Sequence, residues 1–154
     1  MDLGAAPGSW TLYAADKIGP SGQVIAIDRA AITIGLPANV TTIEADALAV
    51  TPSEILPLIK RDGFDVVISD MAPRTSGHKF TDQTRSFNLF TRALELSLDL
   101  CRKGGHFVGK IFQGGDFDDA RLQVRKGYSK VKIIRPTAIR SESYEIYMVG
   151  ISKR

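Results

Sequence analysis

Short runs of apolar residues alternate along the chain with longer segments in which apolar residues recur every three or four positions. The short runs predict strands, and the amphipathic segments predict helices that cover both faces of a mostly parallel sheet. The predicted strands are the tail of strand one at 1–3 and six further segments at 23–27, 40–43, 64–69, 106–112, 128–134 and 144–151. The predicted helices are 9–18, a short helix beginning after Thr51, 86–103 and 116–126.

The last two predicted strands follow one another without an intervening helix. A parallel pair needs a long crossover, so these two strands should pair antiparallel and leave one reversed strand in the sheet. After Asp70-Met71-Ala72-Pro73, residues 74–85 are expected to form a polar loop, and Gly104-Gly105 is expected to end the long helix.

The stretch Asp2-Leu3-Gly4-Ala5-Ala6-Pro7-Gly8-Ser9-Trp10 predicts the end of a strand, a tight turn and the first turn of a helix. Gly4 and Gly8 allow backbone angles that other residues avoid, and a helix start directs N–H groups at a ligand. Asp28 follows Gly8 by twenty positions, where nucleotide-binding α/β folds place a ribose-binding carboxylate. The G-x-x-x-G spacing differs from the G-x-G-x-x-G of dinucleotide enzymes, which favours a nucleoside-type cofactor over NAD. The alternative is a strand-to-helix turn without a ligand.

Charged side chains also follow the other predicted strands of the sheet. They are Asp28, Asp46, Asp70 and Lys110. Each could be only a capping carboxylate or a strand-end lysine with a solvated tip. Because ligands of open parallel sheets bind beyond the carboxyl ends of the strands, we expect these four residues and the glycine turn to form one site.

Composition places the chain among globular proteins, with 44% apolar and 24% charged residues. At 154 residues it is long enough to bury one core without disulfide or metal staples. Cys101 is the only cysteine and lies in an apolar helical pattern, so we expect it in the core of a protein from a reducing compartment. The sequence shows neither a membrane-spanning run nor a signal peptide. We expect a cytoplasmic monomer with no membrane partner and no metal site.

The net charge of +3 is unevenly distributed. Residues 1–60 carry three basic and six acidic side chains, whereas residues 61–154 carry seventeen and eleven. The segment 121–140 contains seven basic and no acidic side chains, namely Arg121, Arg125, Lys126, Lys130, Lys132, Arg135 and Arg140. This pattern indicates a polyanionic partner, with a merely solvated face as the alternative.

Four motifs together resemble the FtsJ/RrmJ-type RNA 2′-O-methyltransferases, a family that uses S-adenosylmethionine. They are the glycine turn ending in Trp10, Ser69-Asp70-Met71-Ala72-Pro73 with Ser76-Gly77 after it, Gly109-Lys110-Ile111-Phe112-Gln113-Gly114, and Arg140-Ser141 leading to Glu145-Ile146-Tyr147-Met148-Val149. The resemblance covers the whole chain. It implies a Rossmann-like α/β fold, a doubly wound, mostly parallel seven-stranded sheet in the order 3-2-1-4-5-7-6 with the last strand antiparallel.

The resemblance also implies roles for individual residues. Cofactor-binding residues would be Gly4, Gly8, Trp10, Asp28 at the ribose, Asp46 at the adenine and Asp70. Catalytic residues would be Lys110, Asp70 and Glu145, with Glu142 as a less favoured position for the glutamate. The implied partner is structured RNA, above all large-subunit ribosomal RNA or the large ribosomal subunit, with transfer RNA second.

Two departures from the family pattern concern the start of the chain and the glycine turn. Family proteins carry a further catalytic lysine in a helix before strand one, and we expect this sequence, 1–154, to be a single methyltransferase domain that lacks this helix and most of strand one. Ser9 replaces a glycine, a change that we expect cofactor binding to tolerate because serine is small and can begin a helix.

Methyl transfer to a hydroxyl depends chiefly on positioning, because the reacting atoms must be held in line. A carboxylate beside Lys110 favours the charged ammonium, so we expect Lys110 to orient the substrate electrostatically, with Asp70 and Glu145 fixing its direction. Two other functions remain open. A small-molecule methyltransferase would need neither Lys110 nor the basic segment 121–140, and a catalytically weak RNA-binding remnant would explain the missing lysine.

Overall fold

The computed structural model describes residues 1–136 and 144–154, which form a seven-stranded sheet with helices packed against it. The predicted positions Arg140, Ser141 and Glu142 lie outside the described residues. The strands are β1 (Asp2–Leu3), β2 (Val24–Asp28), β3 (Val40–Glu44), β4 (Phe64–Ser69), β5 (Cys101–Phe112), β6 (Tyr128–Ile134) and β7 (Glu145–Lys153). The helices are α1 (Ser9–Ile18), α2 (Pro52–Ile55), α3 (Lys79–Leu100) and α4 (Phe117–Gly127), with a 3₁₀ turn at Leu56–Leu58 after α2.

The strand order is β3-β2-β1-β4-β5-β7-β6, which confirms the order implied by the resemblance. Neighbouring strands from β3 to β5 pair in parallel, whereas β7 pairs antiparallel with both β5 and β6. The predicted reversed strand is therefore confirmed. Its position matters because the first residues of β7 lie beside the carboxyl end of β5.

The largest difference from the predicted elements is the start of the long helix, which begins at Lys79 and not at 86. Residues 79–85 are mostly polar and show no apolar period, but hydrogen bonds stabilise the helical conformation there. The carboxylate of Asp82, in the first turn of α3, accepts hydrogen bonds from the backbone N–H and the hydroxyl of Ser76. These hydrogen bonds keep the pKa of Asp82 below its usual value, because they stabilise the ionised carboxylate.

The glycine pair at 104–105 does not end a helix; it lies inside β5. Cys101 pairs with Phe64 of β4, and pairing resumes at His106 opposite Val66, so the residues between them form an irregularity in the ladder. Gly105 lies close to the neighbouring backbone, since a Cβ there would come within 2.9 Å of the Arg102 carbonyl oxygen. Cys101 is buried as predicted, but it begins a strand and does not lie in a helix.

The two central helices lie on opposite faces of the sheet. Asp2 and Leu3 point to opposite sides of β1, and the buried carboxylate of Asp2 accepts a hydrogen bond from Thr11 of α1 at 2.6 Å. On the other face, a Cβ on Gly109 would come within 2.9 Å of Phe90 in α3. Lys110, the next residue of β5, therefore points to the face that carries α1. Within the described residues, no helix has the length and apolar character needed to span a membrane.

Tyr128 connects the outer strands to α3. Its side chain is completely buried, and its hydroxyl donates a hydrogen bond to the Ser97 hydroxyl at 2.9 Å. Its ring lies over Gly150 of β7, where a Cβ would come within 2.7 Å of the ring. The absence of a side chain at Gly150 therefore lets β6 and β7 pack closely against the core.

We predict that Gly150→Ala lowers the free energy of unfolding by about 1–3 kcal/mol, because the added methyl group overpacks the site below Tyr128. Urea denaturation of the variant and the parent protein measures this change. Gly35→Ala is the matched control, since a Cβ there meets no atom within 4 Å. An equal effect of the two substitutions would show that packing over Gly150 is not tight.

Candidate active site

The glycine turn follows β1 directly and contacts the carboxyl end of β2 and the residues after β4. Gly4 has φ of 76°, and a Cβ there would be 2.8 Å from Met71 Cγ and 2.9 Å from its backbone nitrogen. Gly8 has φ of 120°, and a Cβ there would be 2.5 Å from Ile34 Cδ1. Both positions therefore require glycine, for the backbone angle and for the space.

A cavity of about 560 Å³ opens beside this turn. Its lining combines small and apolar side chains with two carboxylates from the ends of β2 and β4 and two arginines, Arg29 and Arg74. The principal lining residues are Gly4, Ile27, Asp28, Ala45, Ala47, Asp70, Met71 and Leu89. The volume is in the range of small-molecule sites, and an apolar wall with a few polar groups suits an adenosine-like ligand.

Asp28 ties the glycine turn to the end of β2. One oxygen of its carboxylate accepts a hydrogen bond from the backbone N–H of Ala6 at 2.9 Å, and the other accepts one from Ala30 at 2.8 Å. Each carboxylate oxygen can accept a further hydrogen bond, so Asp28 still has acceptor capacity for a ribose diol. Asp28 therefore also has the loop-capping role that the sequence allows as its alternative.

Three of the predicted cofactor residues, Gly8, Trp10 and Asp46, do not line this cavity. Asp46 accepts a hydrogen bond from the backbone N–H of Leu48 and lies 3.8 Å from Arg29, while its neighbours Ala45 and Ala47 face the cavity. The ligand contacts of Gly8, Trp10 and Asp46 stay predictions.

The predicted catalytic residues come together at the ends of three neighbouring strands. The Oδ1 atom of Asp70 accepts a hydrogen bond from the Tyr147 hydroxyl at 2.6 Å and lies 3.0 Å from Lys110 Nζ. The side chain of Lys110 is 9% exposed and that of Asp70 is 30% exposed. An almost buried ammonium therefore lies beside a carboxylate that also lines the cavity.

The pairing of β5 with β7 explains this geometry. Lys110 lies opposite Tyr147, and Phe112 lies opposite Glu145. Side chains two residues apart share a face of the sheet, so Glu145 is the diagonal neighbour of Lys110, and such neighbours are about 7–8 Å apart. Glu145 thus belongs to the same cluster as Lys110 and Asp70.

Tyr147 is the member of the cluster that sequence reasoning missed. Burial, the hydrogen bond to Asp70 and the negative charges of Asp70 and Glu145 all raise the pKa of Tyr147, so its hydroxyl remains a donor. Trp10, at the start of α1, stacks on the Tyr147 ring with centroids 5.5 Å apart. The available signal was the strand alternation, which places Tyr147 on the same face as Glu145.

Apart from Arg140, which lies outside the described residues, the basic residues predicted to contact a polyanion lie on α4, on the edge strand β6 and directly after β6. Arg125 and Lys126 are exposed near the end of α4, and Lys130 and Lys132 are exposed on β6. Since β6 runs parallel to β5, its last residues and Arg135 approach the edge that holds Lys110. We call these side chains on α4 and β6 the basic surface. It extends along the sheet away from the Lys110 cluster.

Known methyltransferases match nearly the whole chain. The profile of the FtsJ-like methyltransferase family matches residues 1–153. A protein named ribosomal RNA large subunit methyltransferase E from Sorangium cellulosum is 44% identical over 154 residues, which are 100% of this chain and 71% of that protein. The protein of the same name from Oleidesulfovibrio alaskensis is 47% identical over 151 residues, 98% of this chain and 73% of that protein.

Solved structures show the same fold at low sequence identity. A Plasmodium falciparum protein assigned as a ribosomal RNA methyltransferase aligns with a TM-score of 0.82 at 20% identity, covering 99% of this chain and 84% of that one. Aeropyrum pernix fibrillarin, in complex with natively bound S-adenosyl-L-methionine, aligns with a TM-score of 0.65 at 14% identity, covering 97% and 64%.

We predict that Tyr147→Phe lowers the free energy of unfolding by about 1–2 kcal/mol, because it removes a hydrogen bond to a carboxylate. Urea denaturation measures the change. Tyr13→Phe serves as control, since the Tyr13 side chain is 66% exposed. If both variants retain the stability of the parent, the Tyr147–Asp70 hydrogen bond does not hold the cluster together.

Proposed function

The chain belongs to the FtsJ-like methyltransferase family, and on that basis we propose that it transfers a methyl group from S-adenosylmethionine to a ribose 2′-hydroxyl of structured RNA. The observation that carries this proposal is the ion pair between Lys110 and Asp70 at the rim of a nucleoside-sized cavity. A ribose hydroxyl is uncharged and weakly nucleophilic, so a positioned cation and its carboxylate partner suit this substrate.

The residues around the cavity fit S-adenosylmethionine. Asp28 would accept hydrogen bonds from the ribose hydroxyls, while Met71, Leu89 and Ala47 offer apolar surface to the adenine. The absence of a side chain at Gly4 makes room for Met71, which also lines the cavity. When bound, S-adenosylmethionine supplies an electrophilic methyl group on a positively charged sulfonium, and the carboxylates of Asp28 and Asp70 complement that charge.

Lys110 would hold the oxygen of the target hydroxyl by donating a hydrogen bond. The ion pair with Asp70 fixes the direction of Lys110, so its role is to orient the hydroxyl. As the oxygen gains the methyl group, the hydroxyl proton would pass to the partly exposed Asp70 carboxylate and from there to solvent. Tyr147 holds the shared oxygen of Asp70 and so limits the positions that Lys110 can take. Glu145 adds a second carboxylate on the same face of the sheet. The cluster therefore contributes by fixing geometry.

The names of the relatives favour large-subunit ribosomal RNA as the substrate. Transfer RNA is the second substrate that the resemblance to the family implies. The basic surface on α4 and β6 supports an RNA substrate, because neutralised phosphates supply much of the affinity for nucleic acid. A small-molecule methyltransferase would have no use for a basic surface extending away from its site.

We predict that Lys110→Ala nearly abolishes methylation while leaving the affinity for S-adenosylmethionine unchanged, because Lys110 acts on the nucleophile. Calorimetry measures cofactor affinity, and labelled S-adenosylmethionine with large ribosomal subunits measures methylation. Lys110→Arg should rescue poorly, since a planar guanidinium cannot replace a compact ammonium.

Lys17→Ala is the matched control for Lys110→Ala, because Lys17 also forms an ion pair but is 60% exposed on α1. This control should retain the activity of the parent. Methylation by Lys110→Ala at the parent rate would refute the role given to Lys110.

We predict that changing Arg125, Lys126 and Lys130 to glutamine weakens RNA binding and lowers the log-log salt slope by about two to three, if each residue meets one phosphate. Binding of ribosomal RNA over a series of salt concentrations measures the slope. The control changes Lys17, Lys60 and Arg61, which are exposed away from α4 and β6, to glutamine. Equal slopes for both triple variants would mean that the basic surface is only solvated.

A further inference from the structure

Phe80, in the first turn of α3, is the most exposed large apolar side chain among the described residues, with 80% of its surface open to solvent. Every other phenylalanine among the described residues is at least partly buried. A flat, apolar ring this open gains nothing from packing within the chain. The residues around Phe80 therefore indicate what kind of ligand the ring could contact.

Side-chain contacts tie the first turn of α3 to the strand that carries Lys110. Lys79 Nζ lies 5.7 Å from the centroid of the Tyr144 ring, and that ring packs edge-on against Phe112 with centroids 5.0 Å apart. Phe112 follows Lys110 by two residues on β5. The Gln83 amide also donates a hydrogen bond to the Gln113 carbonyl at 2.7 Å. Phe80 is thus held near the rim of the Lys110 cluster.

Helix geometry places Phe80 on the side of α3 that faces away from the cofactor cavity. Leu89 lines that cavity, and residues nine positions apart on a helix project in opposite directions. Gln83 and Phe80 are three positions apart and share a side, and Gln83 packs against Gly114 just beyond the end of β5. Phe80 therefore lies outside the cofactor cavity, near the carboxyl end of β5, which carries Lys110.

The residues next to Phe80 in sequence favour a polyanion with flat aromatic groups. Lys79, His78 and Arg85 are exposed, while the carboxylate of Asp82 is buried and occupied by Ser76. Exposed rings flanked by cations are the usual means by which proteins hold unpaired nucleotides, since every nucleobase has a face on which an aromatic ring can stack.

We propose that Phe80 stacks on an unpaired nucleobase close to the nucleotide whose ribose lies at Lys110, with Lys79 beside the connecting phosphates. This stacking contact rests on the proposed function, because it assumes an RNA substrate at the cluster. It fixes the position of the target ribose from outside the cofactor cavity. The contact accepts different bases, since stacking does not read hydrogen-bonding groups.

Methylation kinetics test this contact. Phe80→Leu keeps an apolar side chain but removes the ring, so the KM for ribosomal RNA should rise about 5- to 100-fold, with the KM for S-adenosylmethionine unchanged. Phe80→Trp should retain the parent KM. Leu56→Ala is the control, since Leu56 is also exposed but lies in the 3₁₀ turn after α2. A KM for RNA that stays at the parent value in Phe80→Leu would overturn the proposal.

Fluorescence tests the stacking without methylation. Poly(uridylic acid) should quench the additional tryptophan emission of Phe80→Trp but not that of Leu56→Trp, each compared with the parent, which contains Trp10. Quenching without methylation of any RNA would refute the proposed function and leave the stacking contact standing. Methylation without selective quenching of Phe80→Trp would refute the stacking contact alone. This result is expected if Phe80 binds a protein partner and not RNA.

Discussion

A single carboxylate oxygen, Oδ1 of Asp70, receives both the Tyr147 hydroxyl and the Lys110 ammonium. Asp70 directly follows β4, and Lys110 lies on the neighbouring strand β5. Tyr147 lies beside Lys110 because β7 is inserted, reversed, between β5 and β6. A parallel strand at that position would bring its last residues to this edge. The reversed strand brings its first residues, Glu145 and Tyr147, and so completes the cluster.

Asp70 also joins the cluster to the cavity, because its side chain lines the cavity while Oδ1 faces Lys110. Close packing of Gly4 against Met71, the residue after Asp70, sets the distance between the glycine turn and the end of β4. On the other side, the backbone N–H groups of Ala6 and Ala30 donate hydrogen bonds to the Asp28 carboxylate and so fix the glycine turn against the end of β2. The proposed positions of cofactor and substrate would therefore both be set by one edge of the sheet, as a reaction governed by alignment requires.

Sequence patterns predicted the sheet well, because buried strands such as β2 read as apolar runs. The sequence also shows no helical pattern between the last two predicted strands, which indicated their antiparallel pairing. Asp70 and Lys110 were predictable for the same reason, since they follow or end such runs. The start of α3 was missed because Asp82 and Ser76 stabilise it through polar bonds that leave no apolar period. Tyr147 was missed because its partner, Asp70, is 77 residues away in sequence.

The position of the transferred methyl group is the most direct test of the account. The protein is incubated with methyl-labelled S-adenosylmethionine and large ribosomal subunits, and the RNA is then hydrolysed with alkali, which cannot cleave next to a methylated 2′-oxygen. The account predicts that the label appears in alkali-stable dinucleotides, and that it is lost with Lys110→Ala. Label recovered in mononucleotides would place the methyl group on a base and contradict the role assigned to the cluster.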